Sequence, residues 1–126
     1  MRYTPEKIYQ LAPNEIFVFG SNLAGIHGAG AARMAFDFLG AIWGVGEGHQ
    51  GKTYALPTKD HDINTLSLVE IKKHVDTFLE YAENHPEFIF LITKVGCGLA
   101  GWTTEDIAPM FSEVSSNIVL PIEFYK

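Results

Sequence analysis

The apolar positions along the chain fall into short unbroken runs separated by glycine-rich stretches. Ile16 to Phe19 (IFVF) is β-branched and aromatic, stops at Gly20, and reads as a buried strand. Thr53 to Leu56 (TYAL) and Asn117 to Leu120 (NIVL) have the same character, and Phe88 to Thr93 (FIFLIT) is the clearest of the set. A different period appears between them. Leu68, Ile71, Val75, Phe78 and Ala82 recur at spacings of three and four, which predicts one apolar stripe on a long helix. Ser67 and Glu70 form the S-x-x-E capping box that starts it, and His85-Pro86 ends it. Ala31 to Leu39 (AARMAFDFL) predicts an earlier helix, with Ala31, Met34, Ala35 and Phe38 on one face and Gly40 as its stop. Asp106 is placed to cap a third helix, with Pro109 in the first turn, where its missing N–H costs nothing.

Strands and helices therefore alternate from Ile16 to Leu120, without repeats or linkers. That order predicts an α/β fold: a three-layer α/β/α domain with a mostly parallel central sheet, one domain over residues 1–126. Residues 1–15, polar and carrying Pro5 and Pro13, are expected to pack across an edge of it. Sheets of this kind bind ligands at the carboxyl ends of their strands. The glycine-rich stretches 20–30, 44–51 and 96–101 all lie next to strand ends, and the first and third follow a strand directly.

Composition narrows the picture further. With 126 residues, 47% apolar and 19% charged, the chain is long enough to bury a core without a disulfide or a structural metal. The formal net charge of −6 disfavours general attraction to a polyphosphate backbone, so broad nucleic-acid binding is not expected. A small anion is still compatible, because backbone N–H groups hold phosphates without a basic surface. Cys97 is the single cysteine, which rules out an intramolecular disulfide and agrees with a reducing cytoplasm. Met1 to Lys7 opens with no charged-then-apolar leader, and no run approaches the ~20 apolar residues that span a bilayer, so a soluble, unexported protein is expected.

The candidate chemistry lies in the loops. Asn22 is followed by Gly28-Ala29-Gly30 at a helix start, where glycine lets a ligand approach the backbone and the helix N-terminus favours an anion. The segment matches neither G-x-x-x-x-G-K-[ST] nor G-x-G-x-x-G. Gly96-Cys97-Gly98-Leu99-Ala100-Gly101 has the composition of a second phosphate-holding nest. Lys59 stands after a strand, beside Asp60 and Asp62, and a lysine there contacts phosphate or acts as a nucleophile when desolvated. Cys97 has no arginine after it to serve a phosphatase, and a small core residue is its commoner use. His27, His49 and His61 sit in or near the expected site but lack zinc spacing, so no metal or cofactor is expected. Trp102 and Phe36 are candidates for stacking on a base, with core packing the commoner role.

At these residues the chain resembles the macrodomains, which bind ADP-ribose. The stretch Gly20-Ser21-Asn22 through Gly28-Ala29-Gly30-Ala31 matches the family's asparagine and following glycine segment. The likeness spans about Ile16 to Leu120. It implies that Asn22 contacts the distal ribose, that Gly28 to Ala31 lie against the pyrophosphate, and that Gly96 to Gly101 form the second phosphate loop. The chain is most similar to the macrodomains that remove ADP-ribose from glutamate, to the related module of a chromatin remodeller, and to small bacterial and phage proteins of the same type. These carry counterparts of Thr58-Lys59 and of Gly96-Cys97-Gly98-Leu99. In the hydrolases of that group the lysine attacks the ribose anomeric carbon and an aspartate after G-C-G-L assists. Ala100 stands at that place here, with Asp60 and Asp106 as the nearby carboxylates. For adenine recognition the resemblance points to an acidic group near the first strand, with Asn14 and Glu15 as candidates.

Two functions follow as expectations. One is hydrolysis of an ADP-ribosyl bond, with Lys59 as nucleophile or with Asn22 positioning a water. The other is a module that holds ADP-ribose, an ADP-ribosylated substrate or another NAD-derived nucleotide without turnover. A generic nucleotide-binding α/β protein is the third reading.

Overall fold

The computed structural model describes residues 2–8 and 10–125. The single-domain expectation extends to Met1 and Lys126, which with Tyr9 lie outside the described residues.

The first strand, β1 (Glu15–Asn22), is buried along nearly its whole length. Its side chains alternate between two apolar clusters: Ile16 and Val18 join one, Phe17 and Phe19 the other. Successive strand residues point to opposite faces, so both faces of β1 are covered, which explains why IFVF is unbroken. The strand does not stop at Gly20 as expected but runs on to Asn22. It pairs in parallel with β3 (Thr53–Lys59) on one side and β4 (Ile89–Ile92) on the other. β5 (Ile118–Val119) pairs in parallel with β4.

The sheet has a fifth strand that the hydrophobic pattern did not reveal. β2 (Gly48–Gln50) lies antiparallel to β3, giving the order β2-β3-β1-β4-β5 and a mixed sheet. It occupies part of the second glycine-rich stretch. Three residues, the first a glycine, carry no readable alternation; the Gly51-Lys52 turn, with Gly51 at φ +58°, folds them back on β3.

Helix α1 (Gly30–Met34) changes character at Ala35 and continues as a π-helical turn to Leu39. The Gly40 N–H reaches the Ala35 carbonyl, five residues back, and Gly40 itself sits at φ +96°. This widening overturns the expected apolar face. Ala35 is buried, but Phe38 is 79% exposed, rotated off the core by the extra residue in the turn.

Helix α2 (Leu68–Glu83) follows its sequence closely. Ser67 accepts from the Glu70 N–H, and the Glu70 carboxylate accepts from the Ser67 N–H. Ile71, Val75, Phe78 and Ala82 are fully buried against Tyr54, Leu56 and Phe90, each larger side chain contributing about 1.5–3 kcal/mol. In the third helix, α3 (Thr104–Ile107), the N-cap is Thr103. The expected cap, Asp106, is the reciprocal partner three residues on. Pro109 opens the following 3-10 turn, Ala108–Phe111. The N-terminal segment lies along the β5 edge as expected, where the Thr4 N–H and hydroxyl donate to the Leu120 and Val119 carbonyls, each at 2.9 Å. No helix among the described residues is long and apolar enough to cross a membrane.

Candidate functional site

Parallel pairing puts the carboxyl ends of β3, β1 and β4 at one edge of the sheet, where the chain leaves through the glycine-rich loops. A cavity of about 480 Å³ lies there, within the usual range for a small-molecule site. The end of β1 contributes Gly20, Ser21 and Asn22, and the next loop contributes Gly28, Ala29, Gly30 and Ala31. Lys59 comes from β3, and Gly96, Cys97, Leu99 and Ala100 come from the loop after β4. Gly98 and Gly101 do not line it. At φ +104° and +91° they turn the loop instead, the Gly101 N–H donating to the Gly98 carbonyl.

The sequence missed Thr93, Lys94 and Val95, which follow the buried strand directly and line the same cavity. It also missed Ile26, Ala32 and Ile63, and took Thr58 only as the neighbour of Lys59 in a matched pair. The signal for Lys94 was its place between FIFLIT and the glycine loop, the position at which strand-end residues face a ligand in open α/β sheets.

The first loop owes its shape to Asn22. Its Nδ2 donates to the Ile26 carbonyl at 2.8 Å and its Oδ1 accepts from the Ile26 N–H at 2.9 Å. Ser21 donates its hydroxyl to the Gly46 carbonyl, tying this loop to the one before β2. The two backbones meet without side chains between them: a Cβ on Gly46 would lie 2.2 Å from the Asn22 carbonyl oxygen. By contrast, a Cβ on Gly28 or Gly30 would meet nothing within 4 Å, so the space above the start of α1 is open. The N–H groups of Gly28 and Ala29 donate to no acceptor among the described residues, nor do those of Leu99 and Ala100 across the cavity. The third loop is pinned from outside, by Thr65 donating to the Ala100 carbonyl at 2.8 Å and by the Trp102 indole donating to Leu66 at 3.0 Å.

Charge in the cavity has one sign. Among the described residues, Lys59 and Lys94 are its charged lining residues, and no carboxylate lines it. Lys59 has no ion-pair partner among the described residues. The two nearby carboxylates are spent on local structure and do not reach the cavity lining. Asp60 accepts from the Asp62 and Asn64 N–H groups, both at 2.9 Å. Asp106 accepts from the Thr103 N–H and hydroxyl, bonds that hold its carboxyl below the usual carboxylate value. Cys97 also lines the cavity, but burial pushes its thiol above its ordinary value, against a smaller opposing effect of Lys94. A thiol so placed is a weak nucleophile at neutral pH.

The histidines and aromatic candidates lie elsewhere. His27 is fully buried, with its Nε2 donating to the Ile42 carbonyl at 2.8 Å and rings of Phe19, Phe36 and Trp43 around it. His49 is bound between Tyr81 and the Gly51 carbonyl on β2, and His61 is exposed. No three His, Cys, Asp or Glu side chains cluster as a metal site among the described residues. Trp102 packs against the α2 core cluster and Phe36 against Trp43, neither in the cavity wall. Glu15 is bound to Arg2 and to the Ala12 N–H, at the end of β1 away from the cavity, and Asn14 sits beside it.

A second cavity of about 510 Å³ adjoins the first and shares Gly30, Ala31, Thr93 and Lys94 with it. Its walls include Ile8, Phe17, Met34 and Ile122, and it carries both signs of charge in Glu6, Lys7 and Glu123 besides Lys94. Neither the family models, nor the curated proteins, nor the solved structures yield a match to this chain.

Proposed function

We propose that this protein binds ADP-ribose, free or attached to a substrate, or a related NAD-derived nucleotide, in a cytoplasmic three-layer α/β/α domain of macrodomain type. The observation that carries the reading is the first cavity: a strand-end pocket whose charged lining residues, among those described, are two lysines and no carboxylate, and whose loops carry backbone N–H groups without acceptors among the described residues. Such a pocket favours a group with several negative oxygens. The adjoining cavity, with Ile8, Phe17, Met34 and Ile122 in its walls, supports a ligand longer than a phosphate, with the adenosine end there and the diphosphate at the shared strip. Holding the nucleotide without turnover is the better-supported form, because no lining carboxylate is available as acid or base.

Hydrolysis of an ADP-ribosyl bond is the second reading, favoured by Lys59, which lines the cavity and has no ion-pair partner among the described residues. The alternative in which Asn22 positions water has less support, since its amide already holds Ile26. Isothermal titration calorimetry with ADP-ribose, against AMP, ATP and NAD, tests the binding claim. Selective micromolar binding supports it; no heat from the folded protein refutes it. Turnover of ADP-ribosylated substrates by the native protein, lost in Lys59→Ala with the fold intact, would favour the enzyme.

A further inference from the structure

We propose that Lys94 is the specificity residue for the anionic part of the ligand, and that Glu123 is an internal competitor which occupies it until the ligand arrives. The inference rests on the reading of the two cavities as one nucleotide site.

Lys94 is the charged residue common to both cavities. The other residues of the shared strip, Gly30, Ala31 and Thr93, are uncharged, so a ligand spanning both must pass its backbone beside this one ammonium group. The distribution of charge also orients that ligand. Among the described residues the first cavity has only positive lining charges, whereas in the second Glu6 and Glu123 offset Lys7 and Lys94. A polyanionic group is therefore favoured in the first cavity and at the strip, and a neutral group in the second.

In the structure the Lys94 ammonium donates to the Glu123 carboxylate at 3.3 Å. Both side chains are well exposed, at 42% and 37%, so the pair is weak and easily exchanged. A phosphate brings more charge and more acceptor oxygens than the carboxylate and takes the lysine from it. The exchange also screens against neutral ligands, which leave the Lys94–Glu123 pair closed across the strip.

The test is calorimetric titration of the wild-type chain, Lys94→Ala, Lys94→Arg, Glu123→Gln and the double variant Lys94→Ala/Glu123→Gln, with inorganic pyrophosphate and with ADP-ribose. Lys94→Ala should weaken both ligands about tenfold, as expected for one partly exposed charge-assisted contact. Lys94→Arg should stay within about threefold of wild type. Glu123→Gln should tighten pyrophosphate binding about two- to threefold, and this gain should vanish in the double variant. Wild-type affinity of Lys94→Ala for ADP-ribose would overturn the assignment of Lys94 while leaving the nucleotide reading standing. Pyrophosphate binding that depends on Lys94, with no binding of ADP-ribose, would overturn the nucleotide reading and keep the anion site. A gain from Glu123→Gln that persists without Lys94 would overturn the competition. No binding of either ligand to the wild-type chain would overturn both.

Discussion

The side-chain amide of Asn22 and the backbone of Ile26 are joined by two hydrogen bonds, one in each direction, that close the loop leaving β1. The same asparagine lines the cavity, so loop shape and site wall depend on one residue. Asn22→Ala removes both bonds at once. Water reaches Ile26, which is 44% exposed, so the expected loss is about 1–2 kcal/mol, seen as a melting temperature roughly 4–8 °C lower. Asn22→Asp keeps the acceptor for the Ile26 N–H and should lose less. An unchanged melting temperature in Asn22→Ala would show that the loop holds itself.

Two glycines of this loop should respond oppositely to alanine. Gly25 sits at φ +72°, and an added Cβ would lie 2.3 Å from the backbone of Gly44 and Val45. Gly25→Ala is expected to destabilise by about 3 kcal/mol or more, or to leave the chain insoluble. The methyl of Gly28→Ala would enter open space in the cavity. Its urea midpoint should stay within about 0.5 kcal/mol of wild type while ligand affinity falls. Equal loss of stability in both would contradict the packing described for the two loops.

Acid sensitivity should trace to Glu15. Its hydrogen bond from the Ala12 N–H, with help from Arg2 and against the opposing effect of burial, holds its carboxyl below the ordinary 4.5. A carboxyl depressed by folding stabilises above its unfolded value, and the contribution is lost as pH falls through the folded one. Glu15→Gln should therefore be less stable than wild type at pH 7, and the difference should shrink as the pH is lowered below about 4.5. Denaturant midpoints across pH 3 to 7 measure it, and a difference independent of pH would remove the ionic explanation.

Cys97 should be slow to alkylate despite lining the cavity. Burial raises its thiol above 9.0, leaving little thiolate at neutral pH. Iodoacetamide at pH 7.5 is expected to react about tenfold or more slowly than with a free thiol, and faster as pH rises. Rapid labelling at pH 7.5 would show an activated cysteine and reopen a catalytic role for it.

Much of the fold was legible because it rests on local rules. The period of three and four from Leu68 to Ala82 and the Ser67–Glu70 box give α2 its position and its face, since a stripe of that spacing has only one way to be buried. The unbroken runs around Val18, Leu56 and Phe90 mark strands covered on both sides. Phe38 was misplaced for a physical reason: ideal helical spacing does not anticipate one additional residue in a turn, and that residue turned the ring to solvent. β2 was missed because a three-residue segment that begins with glycine becomes a strand only when the edge of β3 offers partners.

The same division runs through the site. Sequence alone determined which loops carry glycines and therefore where backbone can approach a ligand, because that freedom belongs to the residue itself. It also determined that Asn22 and Lys59 stand at strand ends. Only the tertiary structure decided that Asp60 and Asp106 stay out of the cavity lining, that Gly98 and Gly101 shape a loop whose neighbours line the cavity, and that Lys94 belongs to two cavities at once. Those outcomes depend on how β1, β3 and β4 register side by side, a long-range pairing that no local spacing in the chain encodes.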